Sequence, residues 1–161
     1  MPIYMKMAGI EGSSTDKAHD KWIECDMVSL SANRDMEIGA KSVQRARGTT
    51  NISDLTIARQ LDKSSALIFK ALLKGEVFDK VEIHLCQDLE GKGSEPYLKY
   101  ELENVLVSSY SKSAVAQGGK PNESLSLNYT KLAFIYCDTD VKNKPGGKIE
   151  ATYDPAAHEV K

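Results

Sequence analysis

The stretch LDKSSALIFKALLKG, Leu61–Gly75, decides the fold, because its helical pattern interrupts a chain that otherwise alternates between apolar and polar residues. Asp62, Ser64 and Ser65 offer N-cap side chains, and Gly75 stands where a glycine commonly ends a helix. We therefore predict a helix over about residues 64–75. An apolar stripe on this helix would cover one open side of a β-structure, and it consists of Leu67, Ile68, Ala71 and Leu72.

On both sides of the helix, residues alternate with the period of two that predicts strands. The predicted strands lie within Ile3–Met7, Trp22–Ser31, Ile52–Leu61, Val81–Cys86, Leu98–Val107, Ser124–Cys137 and Lys148–Tyr153. The apolar phase flips near Met27, after Leu102 and after Tyr129, as it does at a bulge or a bend. Because the strands follow one another along the chain, we predict a single mainly β domain over residues 1–161. Its fold class is an antiparallel β-barrel, closed or nearly closed, or a sandwich, with a single flanking helix.

One long connection, Asn33–Asn51, is polar and has no steady period, so we predict an extended loop there. Loops of this length in a compact domain are commonly functional. Its charges have both signs, which suits contact with another protein surface, and they are Arg34, Asp35, Glu37, Lys41, Arg45 and Arg47. Shorter loops are predicted over Asp88–Glu95, Ser111–Asn122 and Asp138–Gly147.

Composition excludes several classes of function. The 161 residues carry a formal net charge of −2 without clustered Lys and Arg, so we expect no nucleic-acid partner and no anionic membrane surface. No apolar run approaches 18 residues, and Met1–Gly12 lacks the features of a cleavable signal, so we expect no membrane insertion and no signal peptide. Cys25, Cys86 and Cys137 have no CxxC spacing and are interpreted as reduced thiols of a protein that folds in the cytoplasm.

The sequence contains only weak candidates for metal-binding, catalytic or phosphate-binding motifs. His84, Cys86 and Asp88 alternate on one predicted strand and could form part of a metal site, but a further ligand is not evident, since His19 and His158 lie in a loop and in the tail. No serine stands in a GxSxG elbow, and the Gly-rich loop at residues 90–94 precedes a strand rather than a helix. We therefore predict no catalytic residues, no metal, no cofactor and no enzymatic activity.

Two further segments join the helix segment in a fixed order: NVLVSSY at Asn104–Tyr110 and ESLSLNYTKLAFIY at Glu123–Tyr136. This ordered set resembles the haemolysin-coregulated protein (Hcp) family, the tube subunits of the bacterial type VI secretion system. The resemblance implies a β-barrel with one helix at its side that assembles into hexameric rings. The rings stack into a hollow tube, similar to a phage tail tube, which is propelled out of the cell and can carry and chaperone effectors in its lumen.

The resemblance also implies partners and positions. The partners would be further copies of the chain, a spike protein, a contractile sheath and effector proteins, and the protein would leave the bacterial cytoplasm through the secretion apparatus without a signal peptide. Ser29 and Ser31 follow Trp22-Ile23-Glu24 and are expected to face the lumen and its cargo. The 33–51 loop, with Arg34, Asp35, Glu37, Lys41, Arg45 and Arg47, is expected to reach an adjacent ring.

This sequence departs from the family pattern at two places, since Ala66 replaces the usual proline in the helix segment, and neither Trp nor Gly follows Val28-Ser29. Two other functions remain open. A β-barrel can bind a small ligand in its interior, and the chain could be a secreted effector. The Leu, Ile, Val and Tyr residues at the inward positions suffice to fill a core, which favours the tube subunit.

Overall fold

A computed structural model describes residues 1–35, 48–89, 93–139, 145–155 and 159–160. These residues form twelve strands and one helix, as expected of a mainly β protein. The strands are β1 (Ile3–Met7), β2 (Ile23–Cys25), β3 (Met27–Ser29), β4 (Ala32–Arg34), β5 (Thr50–Ile52), β6 (Leu55–Gln60), β7 (Val77–Leu89), β8 (Gly93–Ser113), β9 (Asn122–Asn128), β10 (Lys131–Thr139), β11 (Pro145–Asp154) and β12 (Glu159–Val160). The helix α1 spans Ser65–Lys74.

The 21-residue strand β8 organises the main sheet. On one edge, β7 pairs with β8 from Gly93 to Leu106. On the other edge, β10 pairs with the first half of β8, from Leu98 to Glu103, and β9 pairs with the second half, from Leu106 to Ser113. From β7 the sheet continues through β1 to β2, and from β10 it continues through β11 to β12. From β9 it continues through β6 to β3. Every ladder is antiparallel, so the predicted antiparallel, mainly β architecture with a flanking helix is confirmed.

The sheet is not closed. Strand β2 pairs with β1, whereas β3 pairs with β6, and Asp26 stands between β2 and β3. There the Asp26 N–H donates to the Ala58 carbonyl at 2.9 Å, and the buried phase ends, because Cys25 is buried whereas Met27 is exposed. The phase flip predicted near Met27 is therefore confirmed, whereas a fully closed barrel is wrong.

A second bend lies where β8 changes partners. Asn104 has φ 54°, a left-handed conformation that Asn tolerates better than most residues, and the buried positions change from Leu102 to Val105 and Val107. Opposite this point the Thr130 N–H donates to the Glu103 carbonyl at 3.1 Å, in the gap between β9 and β10. The single strand predicted over 124–137 is therefore two strands that pair with different halves of β8.

The core fills the space that the curved sheet and α1 enclose. It is aliphatic over most of its extent and also includes Met5, Met7, Phe78 and Tyr129. Its fully buried members include Met5, Ile23, Leu55, Ile57, Ile68, Val81, Ile83, Leu102, Val105, Leu125 and Leu127. Burying side chains of this size contributes about 1.5–3 kcal/mol each.

The helix is one residue shorter at each end than predicted. Gly75 has φ 63° and donates to the Leu72 carbonyl at 3.1 Å, so it ends the helix as expected. Ile68 and Ala71 are buried and Leu72 is partly buried, but Leu67 is 44% exposed, so its place in the buried stripe is wrong.

A set of buried polar residues, here the arginine cluster, fixes the start of α1; it consists of Arg59, Asp62, Ser64, Ser65 and Glu123. The fully buried guanidinium donates to Glu123 Oε2 from Nε at 3.0 Å and from Nη2 at 2.9 Å. It also donates to Ser64 Oγ at 2.8 Å and to Ser65 Oγ at 2.7 Å. The Asp-Lys-Ser-Ser segment thus joins α1 to strands β6 and β9, and its serines bind the guanidinium instead of capping the helix.

The predicted 33–51 loop begins and ends as strands. Ala32 pairs with Ile52 and Arg34 with Thr50, which makes β4 and β5 a separate two-stranded ribbon. A loop prediction is therefore wrong for these ends, and residues 36–47 lie outside the described residues. The predicted loop at 111–122 is shorter, since β8 extends to Ser113, and the last predicted strand is longer, since β11 spans Pro145–Asp154.

Candidate self-association surfaces

The apolar face of the main sheet extends beyond the core. Ile83, which is fully buried, pairs with Tyr100, and Tyr100 pairs with Phe134 on the next strand. Phe134 pairs with Ala151, and Tyr136 pairs with Ile149. Directly paired residues share one face of a sheet. This outer part, here the wing face, therefore continues the core face onto β10 and β11, and it consists of Tyr100, Phe134, Tyr136, Ile149 and Ala151.

The wing face is open to solvent. Phe134 is 38% exposed, Tyr136 is 41% exposed and Ile149 is 69% exposed. The Tyr100 and Phe134 rings contact each other edge to face, with centroids 5.5 Å apart, so the surface is ordered by its own packing. A contiguous apolar surface of this kind marks an interaction site more often than a scattered exposed side chain does.

The edge of the sheet lies beside the wing face. Strand β12 pairs with Tyr153 and Asp154 of β11. Within the described part of the chain, the outer edge of β11 from Gly147 to Thr152 has no paired strand. Such an edge presents backbone N–H and C=O groups that another chain can pair with.

A second apolar surface, here the helix face, lies elsewhere on the molecule. Phe69, Leu73 and Val77 are exposed, and the Phe69 ring lies 5.4 Å from the Tyr110 ring. A groove of about 570 Å³ runs beside it between α1 and β8. The wing face and the helix face differ in shape and in secondary structure. A contact between them would therefore be heterologous, which is the kind of contact that builds rings.

Ser29 and Ser31 lie close together at the start of the ribbon. Both are exposed, and Ser29 pairs with Thr56 across the ladder of β3 and β6. Ser31 is held by Ser53, whose Oγ accepts from the Ser31 N–H at 3.1 Å and whose N–H donates to the Ser31 carbonyl at 2.9 Å. Their accessibility agrees with a role in contact, and which side of an assembly they face stays a prediction.

The ribbon holds two of the six charged residues predicted to reach a neighbouring ring. Asp35 accepts from Asn51 Nδ2 at 3.1 Å, and its N–H donates to the Thr49 carbonyl at 2.9 Å. Arg34 is exposed at the end of β4. The other four, Glu37, Lys41, Arg45 and Arg47, lie outside the described residues. The inter-ring role of this segment stays a prediction.

The predicted grouping of His84, Cys86 and Asp88 is not found. A register shift between Leu85 and Cys86 breaks the alternation, and Asp88 accepts a hydrogen bond from Ser94 at 2.9 Å. The neighbour of His84 and Cys86 is instead His19, a loop residue that sequence reasoning left without a role. Over the described ranges, no group of three or more His, Cys, Asp or Glu residues could hold a metal ion. Within the same ranges, no helix has the length and hydrophobicity that membrane crossing requires.

Known proteins resemble this chain in sequence and in fold. A family model described as "Type VI secretion system effector, Hcp" matches residues 4–136. A solved structure described as a type six secretion system protein is 26% identical, with a TM-score of 0.90 over 99% of both chains. Hcp1 from Salmonella typhimurium is 22% identical with a TM-score of 0.78, over 99% of this chain and 98% of that one. Hcp2 from the same organism is 24% identical with a TM-score of 0.73 over 99% of both chains. No curated protein matches the chain.

Proposed function

Because this chain belongs to the Hcp family of the type VI secretion system, we propose that it is a structural subunit of the secretion tube. Copies associate into hexameric rings, the rings stack into a hollow tube, and the tube is exported from the bacterial cytoplasm. The observation that carries this proposal is the wing face, an ordered apolar surface that is continuous with the core but uncovered in the single chain.

The physical argument for self-association rests on two unlike surfaces. A ring needs one face of each subunit to meet a different face of the next, with a rotation that closes. The wing face with its open β11 edge supplies one surface, and the helix face is a candidate for the other. Ring formation would cover an apolar surface and an unpaired edge that are aggregation hazards in a monomer.

The finer parts of the proposal rest on the resemblance and on accessibility. The ribbon of β4 and β5 leads into the 36–47 segment, which we assign to contact between stacked rings. Ser29 and Ser31 are accessible and are assigned to the lumen, where effectors would be carried. A spike protein and a contractile sheath complete the expected partners, and the role is structural rather than enzymatic.

Light scattering after size-exclusion chromatography tests the proposal. The wild-type protein should have a mass several times 17.7 kDa, and electron microscopy should show six-fold rings with a central hole. Ile149→Ser removes apolar area from the wing face and should weaken the assembly at least about tenfold, since losing this contact costs about 1.5–3 kcal/mol.

The matched control is Val115→Ser. Val115 is also exposed, but it lies in the loop between β8 and β9, away from the wing face. This variant should assemble like the wild type. A protein that stays monomeric at high concentration would contradict the proposed function, and equal weakening by both variants would contradict the assignment of the wing face.

A further inference from the structure

A buried chain of side chains, here the histidine cluster, joins the connection between β1 and β2 to strand β7. Asp16 Oδ1 lies 3.0 Å from His19 Nδ1, and His19 Nε2 lies 2.9 Å from His84 Nδ1. The Cys86 thiol lies 3.7 Å from His19 Nε2. His19 and Cys86 are buried almost completely, and His84 keeps a small exposed fraction. The cluster therefore ties a loop residue to a strand 65 positions further along the chain.

The hydrogen bonds determine where the ring protons lie. A carboxylate can only accept, so His19 Nδ1 carries a proton and donates it to Asp16. The contact between His19 Nε2 and His84 Nδ1 holds a single proton, which one ring donates and the other accepts. His84 Nε2 lies 4.0 Å from Glu82 Oε2. The hydrogen bonds of the cluster are thus satisfied while the His84 ring is neutral.

The His19 ring packs between its own loop and strand β1. It stacks on Tyr4 of β1, with centroids 4.4 Å apart and planes 9° apart, and it meets Trp22 edge to face at 4.8 Å. The loop closes on itself around this ring, because the Gly12 N–H donates to the Lys21 carbonyl at 2.8 Å and the Ser14 N–H donates to the Trp22 carbonyl at 3.1 Å. Residues 12–22 are therefore docked on the sheet in part through the His19 ring, which contacts Tyr4 of β1 and His84 of β7.

The buried histidine cluster does not accommodate additional protons well. A charged His84 ring would be a cation buried under the loop, with its Nε2 4.0 Å from Glu82 Oε2. Protons on both His19 Nε2 and His84 Nδ1 would point two N–H groups at each other across 2.9 Å. The titratable and charged groups around the pair, from every element that packs on it, are Asp16, Tyr4, Lys6, Lys80, Glu82, Cys86, Lys99 and Glu101.

We propose that the histidine cluster is an acid-sensitive latch: it holds residues 12–22 against strands β1 and β7 at neutral pH and releases them as the pH falls below about 6. Release lets the His84 imidazole take up a proton in contact with water. The rest of the fold stays in place, because the core and the arginine cluster do not depend on either histidine. This behaviour belongs to the single chain and does not require the tube assembly.

The pKa of His84 is shifted in the direction that release by acid requires. The pKa of His84 is lowered from 6.5 to about 3, mainly by burial and also by the positive charge of Lys99 and the proximity of His19, against an opposing effect of Glu101. A histidine whose pKa is lower when docked than when released binds protons only after release. Docking is therefore complete above pH 6.5 and weakens as the pH falls from 6.5 towards 3.

Hydrogen exchange of the full-length protein tests the latch directly. Rates for the Gly12, Ser14, Lys21 and Trp22 amides are compared at pH 7.5 and pH 5, after correction for intrinsic exchange. Uptake of one proton between pH 6.5 and 5 should accelerate exchange at these amides about tenfold or more. The amides of β6 and β9 should keep their protection. Unchanged loop rates, or a joint rise of loop and β6–β9 rates, would overturn the proposal.

Trp22 provides an independent signal, because it is the single tryptophan of the sequence and its ring lies 4.7 Å from the His84 ring. Its fluorescence should change in a titration whose midpoint lies below 6.5, since protonated imidazole quenches indole and release exposes the ring. A midpoint at or above 6.5 would contradict a latch that disfavours the charged form.

Matched variants separate the latch from general acid effects. His84→Asn keeps a donor near the Nδ1 position but cannot titrate, so the loop should lose most of its acid acceleration, whatever its protection at neutral pH. His158→Asn removes the third histidine of the chain and should leave the acceleration unchanged. Full acid acceleration in His84→Asn would overturn the proposal.

Discussion

The arginine cluster and the histidine cluster both join distant segments of the chain through buried polar side chains, but they differ in charge. Each one buries polar side chains to join segments far apart in the sequence, Arg59 to Glu123 in the first and His19 to His84 in the second. Each one positions a segment that packs on the sheet: the start of α1, or the loop at residues 12–22. The arginine cluster contains a paired cation, whereas in the histidine cluster burial lowers the pKa of His84 and disfavours its charged form.

The difference decides how each cluster responds to pH. Burial acts to raise the pKa of Glu123, but hydrogen bonds from Tyr110, Ser65 and Arg59 outweigh it and bring the pKa below its ordinary value. A carboxyl group of lowered pKa contributes its full stability above its unfolded pKa and loses it as the pH falls from there through the lower, folded pKa. The arginine cluster should therefore keep its full contribution down to about pH 4.5, by which point the histidine cluster has already weakened.

The comparison also shows what buried polar groups require. In the described part of the chain, no buried side-chain nitrogen or oxygen lacks a hydrogen-bond partner. Arg59 reaches this state with four different partner residues, so its charge is permanently compensated. The histidines reach it only in one protonation state. A fully hydrogen-bonded network can thus hold a segment over a wide pH range, or over a narrower range if its members titrate.

The largest expected effect comes from removing the charge of the arginine cluster. Arg59→Met leaves the buried Glu123 carboxylate with only the exposed Lys112, whose Nζ lies 3.5 Å from Glu123 Oε1, so the free energy of unfolding should fall by about 3–5 kcal/mol. Urea denaturation at pH 7 measures this loss. The double variant Arg59→Met with Glu123→Met should recover most of it, because neither charge then stays buried without a partner.

Lys131→Met is the control for this experiment. Lys131 Nζ lies 2.9 Å from Glu103 Oε1, a distance like that in the arginine cluster, but both side chains are exposed. Exposed pairs contribute about 0–1 kcal/mol, so the variant should unfold close to the wild type. A loss for Arg59→Met as small as that for Lys131→Met would show that burial does not distinguish the two pairs.

A middle-sized effect should appear when stability is followed against pH. Between pH 7 and pH 5 the wild type should lose about 1–2 kcal/mol, because the released or unfolded His84 binds a proton that the docked His84 does not. His84→Asn should show a flatter profile over this range, measured by urea denaturation at half-unit steps. Glu123→Gln, by contrast, should shift stability at every pH without flattening this part of the profile, and an equal flattening would break the comparison.

Local patterns predicted the elements whose causes are local. The glycine stop at Gly75 and the phase flip near Met27 follow from neighbouring residues, and both are confirmed. The strand prediction for residues 124–137 was wrong at Tyr129 and Thr130, because the break there depends on the partner change at Glu103 and Asn104. Alternation shows that a strand continues, but it does not show which strand lies beside it.

The candidate sites needed the tertiary structure for the same reason. Phe134 and Tyr136 have the alternation of core residues, but the sheet is open beside them, so they form a surface. No local pattern connects His19 with a strand 65 residues later, so its contact with His84 could not be predicted from the sequence. No residue pattern marks a surface that faces a lumen, so the prediction for Ser29 and Ser31 depends on the family resemblance.

The smallest effect concerns the tyrosine at the margin of each cluster. Tyr110 donates its hydroxyl hydrogen bond to Glu123 Oε1, whereas the Tyr4 hydroxyl is hydrogen-bonded to Ser94. A bond to a charged partner contributes more than one between neutral groups, so Tyr110→Phe should cost about 1.5 kcal/mol and Tyr4→Phe about 0.5 kcal/mol. Urea denaturation of both variants at pH 7 measures the difference.

The same two variants also test the pH range over which each cluster loses stability. Tyr110→Phe removes a donor that lowers the pKa of Glu123, so this pKa should rise towards its ordinary value. Because the folded and unfolded pKa values of Glu123 then lie closer together, Tyr110→Phe should lose less stability than the wild type as the pH falls below about 4.5, and its acid profile should be flatter. Tyr4→Phe leaves the His84 ring in place and should keep the wild-type profile from pH 7 to 5. If Tyr110→Phe unfolded with the wild-type acid profile, the lowered pKa of Glu123 would depend on Arg59 and Ser65 alone.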